Sequence, residues 1–393
     1  MTRHIKTLLS CFHSSSKPLC KEEIKKTGEA LLALQRGLTG NRTLAGNGYM
    51  QDKNFLGAYL LYYWPSTYVQ LEWILKKISR SMEFKQSVSV LDVGSGPGPA
   101  SAAVCDFINE KNNNSHIDLT LFDSSEKALD LAKKIFLLDF KNVNVKVKKV
   151  NLENQKNVLE SIEKNKKYDV IVMSHALNEL WKEKDNAVNL RFEFLKVLCE
   201  NLCDEGILIL NEPALLKTSR SLIALKDLLC KKKFSVVSPC CFFEENVYSC
   251  PALLSGENQT CHAAFEWNLT EPVLSLSKYA HLDREQVKMS YFVFRKNRKQ
   301  EICSTFNINS ESFQGVVVSD GMLNKSGRVR YLICNGKERI PVSAKKDSAY
   351  AQSINFFKLK RYDKVEFKNL EVRGESQTKA FGIKEGTTLK LLF

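Results

Sequence analysis

The chain has 393 residues, enough for two or three domains and more than a minimal module needs to bury a core. Hydrophobic residues make up 44%, which is ordinary for a globular protein and excludes a largely disordered chain. The formal net charge of +14 favours a polyanionic partner such as nucleic acid, although the basic excess is spread along the chain.

Cysteine content and targeting signals indicate the cellular compartment in which the protein is expected. The chain has 12 cysteines, and Met1–Lys17 lacks the apolar core of a signal peptide. The uncharged stretch Phe55–Leu71 contains Pro65 and is short for a membrane span. We predict no membrane association and a reducing compartment, where clustered cysteines indicate metal rather than disulfides. Met1–Cys20 resembles an organellar presequence only faintly, and a basic N-terminus without targeting function is the simpler interpretation.

The N-terminal region is predicted to be helical. Residues 21–47 begin as a polar helix and end in a loop rich in glycine and asparagine. Apolar residues recur at helical spacing over Phe55–Arg80, interrupted at Pro65. Residues 1–86 therefore form a helical cap in front of the sheet, and we expect its aromatic residues to pack in the core.

The stretch Val88–Ser101 combines a short run of β-branched residues, three glycines and a segment of small residues. This pattern predicts a buried strand, a tight turn and a helix, the first unit of a nucleotide-binding α/β sheet. The glycines follow a G-x-G-x-G spacing, with Asp92 two residues before Gly94. That arrangement resembles motif I of the class I S-adenosylmethionine (SAM) methyltransferases rather than a dinucleotide fingerprint.

Strands and helices alternate from residue 87 onward, which predicts an α/β fold with a doubly wound, seven-stranded sheet over 87–238 plus 289–300. The predicted strands are 88–93, 117–122, 143–150, 168–174, 207–211, 234–238 and 289–295. The predicted helices are 99–110, 125–139, 155–164, 186–203 and 217–232.

Ligands bind such sheets beyond the carboxyl ends of the strands, near the first strand. Asp123 ends the second apolar run, where a carboxylate can accept hydrogen bonds from both ribose hydroxyls of a nucleoside. The alternative is a glycine turn without a ligand. The predicted SAM-binding residues are Asp92, Gly94, Ser95, Gly96, Gly98, Asp123 and Asn151.

The fourth strand is followed by Ser174–Leu180. This segment lacks the Asn/Asp-Pro-Pro-aromatic motif with which many methyltransferases orient a target amine. Asn178 and Glu179 are candidate hydrogen-bonding or base groups, and a role in lining the pocket without chemistry is the alternative. The pair Cys240-Cys241 follows the sixth strand, too late for the nucleophile of an RNA cytosine-C5 methyltransferase.

A cysteine-containing insertion, 239–288, separates the last two predicted strands. Its spacings do not fit a zinc knuckle built of C-x2-C pairs, and no C-x3-C-x2-C run of a radical-SAM enzyme is present. Cysteine followed by proline is common at iron–sulfur ligands. Zinc or a set of free thiols is the alternative. The predicted ligands are Cys240, Cys250, Cys261 and, as the fourth, Cys334, with Cys241 and Cys303 as rivals.

The C-terminal region, 301–393, contains 16 basic and 10 acidic residues. Predicted strands are Phe313–Ser319, Gly327–Cys334, Arg339–Ser343 and Lys364–Glu371. Basic residues interleaved with aromatic ones predict RNA contact, with a solvated protein face as the alternative. They are Lys345, Lys346, Lys358, Lys360 and Arg361 with Tyr350, Phe356, Phe357 and Tyr362.

Several segments together resemble the SAM-methyltransferase-like proteins of the small ribosomal subunit, which are mitochondrial or bacterial. These segments are Ala58-Tyr-Leu, Pro65–Tyr68, Val90–Gly98, Ser174–Leu180, Asn211–Pro213, Ser219-Arg220, Ser238–Cys240, Cys250-Pro251, Cys261-His262 and Ser290–Arg295. The resemblance implies SAM binding, attachment to the small subunit, and a 4Fe–4S cluster on Cys240, Cys250, Cys261 and Cys334. The family usually has Pro-Cys-Pro-His where this chain has Pro239–Phe242, so either Cys240 or Cys241 is the first ligand.

The sequence thus predicts a SAM-binding, iron–sulfur methyltransferase that acts on small-subunit rRNA. The alternative is a non-catalytic assembly factor with a vestigial SAM pocket. We expect a monomer off the ribosome, located in a bacterial cytoplasm or, as the alternative, in the mitochondrial matrix.

Overall fold

The structure is a computed structural model. It describes residues 1–40, 43–44, 49–240, 249–282, 285–296, 312–373 and 380–392. Contacts divide the chain into two units, which are Met1–Pro213 with Phe265–Met289 and Ala214–Ala264 with Ser290–Phe393. Among the described residues, none of the helices has both the length and the apolarity needed to cross a membrane.

The first unit begins with helices. They are α1 (Thr2–His13), α2 (Lys21–Gln35), α3 (Lys53–Ala58) and α4 (Trp64–Ile78). A π-helical turn, Tyr59–Tyr63, joins α3 to α4. Pro65 lies in the first turn of α4, where a missing N–H group removes no hydrogen bond from the helix. The interruption that the sequence predicts at Pro65 is therefore a widened turn directly before it.

Five parallel strands of the first unit carry the candidate site, in the order β3-β2-β1-β4-β5. The strands are β1 (Ser87–Val93), β2 (His116–Asp123), β3 (Val143–Lys149), β4 (Tyr168–Ser174) and β5 (Leu202–Pro213). The helices between them are α5 (Pro99–Lys111), α6 (Glu126–Asp139), α7 (Gln155–Ser161) and α8 (Ala187–Glu200). Val88, Val90 and Val93 of β1 are buried because a central parallel strand is covered on both faces.

The remaining strands of this sheet come later in the chain. Helix α9 (Leu216–Lys231) leads to β6 (Phe234–Ser238), and β6 pairs antiparallel with β8 (Gln286–Lys296). Between them lie α10 (Pro251–Leu254), β7 (Ala263–Glu266) and α11 (Val273–Ala280). The strand order of the whole sheet is β3-β2-β1-β4-β5-β8-β6, with β7 paired to β8. The predicted α/β class I methyltransferase sheet is confirmed, with β8 as the predicted strand 289–295 and β7 as an additional strand.

A second sheet occupies the C-terminal part of the second unit, in the order β14-β15-β12-β11-β9-β13-β16, with β10 paired to β11. Its strands are β9 (Ser312–Val317), β10 (Met322–Leu323), β11 (Arg328–Cys334), β12 (Arg339–Lys345), β13 (Lys364–Lys368), β14 (Glu371–Arg373), β15 (Ala380–Gly382) and β16 (Thr388–Leu392). The short helix α12 spans Ala349–Ser353. The second sheet has its own apolar core, which includes Phe313, Ile333 and Phe367.

The aromatic residues of this region correct one prediction. Phe356 and Tyr362 are buried, and Phe356 packs in the core of the second sheet, so neither ring is available to stack on a base. Arg361 is bound to Asp320 through two hydrogen bonds of 3.0 Å each. The alternation of basic and aromatic residues marks half-buried segments here, with the aromatic side chains turned inward. The lysines that the sequence singled out remain exposed, and they are Lys345, Lys346, Lys358 and Lys360.

The predicted domain limits at 86, 238, 288 and 300 differ from the two contact-based units. The insertion 239–288 contributes Ala252 and Ala263 to the second unit, whereas α11 belongs to the first. In the first unit, a Cβ added at Gly28 of α2 would lie 2.2 Å from Cδ1 of Tyr279 on α11. The domain limits therefore stay a prediction from the sequence.

Candidate functional site

The glycine turn after β1 has a backbone that only glycine adopts without strain. Gly94, Gly96 and Gly98 have φ angles of 75°, 52° and 79°. A Cβ at Gly94 would lie 2.4 Å from Cβ of Ala176, and one at Gly98 would lie 2.7 Å from Cε2 of Phe136. The turn therefore packs tightly on its own scaffold, and the predicted glycines are placed together as expected. Ser95 is buried in the same turn, and its N–H donates to the Phe122 carbonyl oxygen at 3.0 Å.

Asp92 is the last residue but one of β1, just before this turn. Its side chain is fully buried, with an exposed fraction of 0%. Oδ2 accepts a hydrogen bond from the Ser101 hydroxyl, whereas Oδ1 has no hydrogen-bond partner within the described part of the chain. Burial raises the pKa of Asp92 to about 7, against the hydrogen bond from Ser101 and together with the charge of Asp123. A buried carboxylate with an unpaired oxygen fits a ligand that brings a hydrogen-bond donor or a positive charge.

Asp123 ends β2 and closes onto the glycine turn. Its Oδ2 accepts the Gly96 N–H at 2.8 Å, and its Oδ1 accepts the Ser125 N–H at 2.8 Å. Burial raises the pKa of Asp123 despite these bonds. Each carboxylate oxygen retains a second lone pair, so the group can still accept hydrogen bonds from a ligand.

Asn151 lies in an exposed turn after β3, beside Asp123. The Val150 N–H donates to the Asp123 carbonyl oxygen at 2.9 Å, and Oδ1 of Asn151 accepts the Glu153 N–H at 3.1 Å. The three predicted positions at the ends of β1, β2 and β3 therefore share one edge of the sheet.

A group of tyrosines faces the same edge, and the sequence analysis assigned it no role. The Tyr59 and Tyr63 rings, both in the π-helical turn, stack with centroids 5.7 Å apart. Burial raises the pKa of Tyr59, and the charges of Glu179, Asp123 and Asp92 raise it further. Burial likewise raises the pKa of Tyr49, whose charged neighbours include Glu179 and Asp123. The edge therefore gathers three carboxyl groups among tyrosine rings, an environment that favours a cation.

The turn after β4 is held by a buried carboxylate that sequence reasoning missed. The Asn178 N–H donates to Oε1 of Glu212 at 3.2 Å, and the Asn178 side-chain amide donates to Oε2. Arg191 donates to the carbonyl oxygens of Asn178 at 3.0 Å and Leu180 at 2.8 Å. Burial raises the pKa of Glu212 to about 8, against the bonds from Asn178 and the charge of Arg191. Asn178 is thus engaged in holding the turn, which favours the pocket-lining alternative over chemistry.

His175, the first residue after β4, has a left-handed backbone with φ of 59°. Its Nε2 lies 2.6 Å from Oε1 of Gln70, and that oxygen also accepts the side-chain amide of Asn211 at 3.0 Å. Nδ2 of Asn211 also lies 3.4 Å from Nε2 of His175, so the three side chains form one polar cluster. Neither Gln70 nor Asn211 could be linked to His175 from the sequence, since they come from α4 and β5.

The predicted cysteine ligands converge in the second unit. Cys240, Cys250 and Cys334 line one small cavity. Burial and the charge of Cys261 together raise the pKa of Cys250 to about 11 and that of Cys334 to about 12. The four predicted thiols are therefore neighbours, although three of them come from the insertion and one from β11.

No three His, Cys, Asp or Glu side chains in the described ranges are close enough to share a single metal ion. The rival ligands Cys241 and Cys303 lie outside the described residues.

Two cationic side chains that were not predicted as site residues border these thiols, and they are the buried Lys226 and the half-buried Arg339. Lys226 of α9 is 2% exposed, lines the same cavity, and forms an ion pair with Asp227. Nη2 of Arg339 donates to Sγ of Cys261 at 2.9 Å and to the Thr260 carbonyl oxygen at 2.8 Å. Positive charge is thus held beside the thiols.

Solved structures similar to this chain include methyltransferases. A Listeria monocytogenes protein assigned as a class I SAM-dependent methyltransferase is 13% identical, with a TM-score of 0.38, over 75% of this chain and 80% of that one. A Pyrococcus horikoshii protein assigned as an RNA methyltransferase is 12% identical, with a TM-score of 0.35, over 69% and 98%. The plantazolicin methyltransferase BamL, solved with S-adenosylhomocysteine (SAH), is 14% identical, with a TM-score of 0.34, over 70% and 98%. Superpositions of this quality do not define the fold, which follows from the strand order.

A search of the curated proteins found no match. The model of one family, described as the mitochondrial small ribosomal subunit protein Rsm22, matches residues 54–352, which is more than half of the chain. The match covers the glycine turn, the segment after β4, the insertion and Cys334, so the resemblance drawn from the sequence is confirmed. The chain belongs to the mitochondrial small ribosomal subunit Rsm22 family.

Proposed function

We propose that this protein binds SAM at the carboxyl edge of β1 and β2 and methylates RNA of the small ribosomal subunit. The observation that carries the proposal is the buried Asp92, whose Oδ1 lacks a partner among the described residues, beneath a glycine turn that Asp123 closes. A ligand with a cationic group and vicinal hydroxyls satisfies both carboxylates.

Each predicted residue has a role in this proposal. Asp92 attracts the ammonium group of the methionine part, and the turn Gly94–Gly98 lets the backbone approach the ligand. Asp123 accepts hydrogen bonds from the ribose hydroxyls, and the turn at Asn151 borders the adenine. When bound, SAM supplies an electrophilic methyl group. Proton removal from the acceptor is assigned to the turn after β4, which carries His175 and Glu179.

The proposed partner is the rRNA of the mitochondrial small subunit, which places the protein in the mitochondrial matrix rather than in a bacterial cytoplasm. The family description supports this partner, and exposed lysines support contact with phosphate groups. Such contacts make binding dependent on salt. We keep the expectation of a monomer off the ribosome as part of the proposal.

We also propose that Cys240, Cys250, Cys261 and Cys334 hold a 4Fe–4S cluster. The support is the chemistry of the donors, since three of these thiols line one cavity and the fourth adds its charge to theirs. Four thiolates are the usual ligand set of such a cluster. Bound there, it would tie the insertion to strand β11 through covalent bonds to iron.

The test is transfer of a labelled methyl group from SAM to immature small-subunit particles, with anaerobically purified protein. We expect label on the rRNA, lost in the Asp92→Ala variant. Glu205→Ala, which changes an exposed carboxylate in β5, is the matched control and should keep full transfer.

A second function has one observation in its favour. Asn178 is engaged with Glu212, and the amine-orienting motif is absent from the sequence, so the fold is also compatible with a non-catalytic assembly factor. In that case, no label would appear, while Asp92→Ala protein would still bind the particle and support assembly.

A further inference from the structure

The thiol cavity of the second unit has one cation in its wall, Lys226, and a second cation, Arg339, contacts the neighbouring thiol of Cys261. Lys226 is almost completely buried and lines the cavity together with Cys240, Cys250 and Cys334. Burying an ammonium group is costly unless negative charge lies close by. Asp227, which forms an ion pair with Lys226, also accepts a hydrogen bond from the Cys250 N–H at 3.0 Å. Lys226 therefore lines the cavity directly, and its ion pair with Asp227 links it to the backbone of Cys250.

Arg339 approaches the thiols from the first residue of β12. Its Nη2 donates to the sulfur of Cys261 at 2.9 Å, and its other polar contacts are the Thr260 carbonyl oxygen at 2.8 Å and Oε1 of Gln259, which Nη1 reaches at 3.2 Å. The Gln259 and Thr260 contacts hold the guanidinium in place. The contact with Cys261 is an N–H···S hydrogen bond to a proposed ligand atom.

We propose that Lys226 and Arg339 compensate the negative charge of the iron–sulfur cluster and raise its reduction potential. This inference rests on the proposed cluster with its four cysteine ligands. A 4Fe–4S cluster with four thiolates is anionic, and reduction adds one more negative charge. Cations and N–H···S bonds beside the sulfurs therefore stabilise the reduced form more than the oxidised form. Arg339 has the larger effect because it contacts a ligand sulfur directly.

The test is a redox titration of the reconstituted full-length protein, followed by cluster absorbance and electron paramagnetic resonance. Arg339→Met should lower the midpoint potential by at least about 59 mV, a tenfold change in the ratio of reduced to oxidised cluster for a one-electron couple. Lys226→Met should shift it in the same direction by less. Arg339→Lys and Lys226→Arg keep the charge and should restore part of the shift.

Lys217→Met is the matched control. Lys217 is exposed on the same helix, about 13 Å along the helix axis from Lys226, and its replacement should leave the potential unchanged. If wild-type protein forms no cluster, the proposed ligand set is wrong. If all variants keep the cluster and the wild-type potential, the ligand set stands and the inference is overturned.

Loss of the cluster is also informative. If both methionine variants lose it while Arg339→Lys and Lys226→Arg retain it, positive charge is required at the cavity and the inference is supported. If all four variants lose it, the two side chains act through packing alone, and charge compensation is overturned.

Discussion

The two candidate sites of this protein have opposite electrostatic character. The sheet edge in the first unit gathers Asp92, Asp123 and Glu179 among tyrosine rings. The cavity in the second unit gathers cysteines beside Lys226 and Arg339. An environment built from buried charges of one sign favours a ligand of the other sign. The first site therefore suits a cation such as SAM, whereas the second holds two cations beside its thiols, one of them paired with Asp227.

The cavity gives the largest expected effect. We expect Cys250→Ser to abolish the absorbance of the reconstituted cluster, because a hydroxyl does not replace a thiolate on iron. Cys230→Ser, at a buried cysteine of α9 in the same unit, should keep the absorbance. Equal spectra for the two variants would show that Cys250 matters no more to the cluster than Cys230 does.

The second largest effect is expected at the sheet edge, from a substitution that strains the backbone of the glycine turn. Gly94→Ala should lower the free energy of unfolding by about 3 kcal/mol, because φ is positive and the new Cβ would clash with Ala176. SAM binding should be lost while cluster absorbance is unchanged. Urea unfolding and calorimetric titration with SAM measure both effects. Gly40→Ala, whose Cβ would meet only Cγ of Arg36 at 3.7 Å, is the control and should change neither.

The pH dependence of SAM binding tests the charge of the sheet edge. Asp92 has a pKa of about 7, so it is mostly protonated at pH 6 and mostly ionised at pH 8. If the carboxylate attracts the ligand's ammonium group, affinity should rise about tenfold between these pH values. Asp92→Asn should lower the affinity and flatten the profile. An unchanged slope in that variant would assign the pH dependence to another group.

The smallest expected effect concerns Asp106 and Asp139 of the first unit, two carboxylates that share His4 as a partner. His4 is buried with both ring nitrogens on carboxylates, Nε2 at 2.7 Å from Asp106 and Nδ1 at 2.5 Å from Asp139. Burial lowers the pKa of His4, but these two partners outweigh it and raise the pKa above 6.5. The stabilisation is thus complete below pH 6.5 and is lost as pH rises through the folded-state pKa.

We therefore expect His4→Gln to cost about 1 kcal/mol at pH 6 and less at pH 9, measured by thermal unfolding. SAM affinity should not change, since the imidazolium and not a ligand pairs with Asp106 and Asp139. A deficit that grows with pH would contradict the charged state of His4.

The sequence predicted the first site better than the second because the first is almost continuous in the chain. Strand β1, the glycine turn and the start of α5 lie within Val88–Ser101, and Asp123 follows one strand later. The thiol residues were predicted from cysteines next to prolines and from the family resemblance. Lys226 and Arg339 were not predicted, because a lysine in a helix and an arginine in a strand usually face solvent, and only the tertiary structure brings them to the thiols.

The same limit explains the error in the C-terminal region. A local pattern of lysines and aromatic residues does not tell which side of a chain faces the core. Phe356 is fully buried, whereas Lys358, two residues later, is exposed. The prediction that all four aromatic residues face RNA is therefore wrong for Phe356 and Tyr362, whereas Tyr350 and Phe357 are half-buried and the lysines are exposed.

The π-helical turn at Tyr59–Tyr63 has a consequence for chain length. A π turn holds one residue more than an α turn, so the residues of α4 are offset in angular phase from those of α3. The phase places Trp64 so that its Nε1 donates to the Pro97 carbonyl oxygen in the glycine turn at 3.0 Å. Deleting one residue here would replace the wide turn by an α turn, while packing holds α3 and α4 in place. This segment therefore carries one residue more than an uninterrupted α-helix of the same length along its axis would hold.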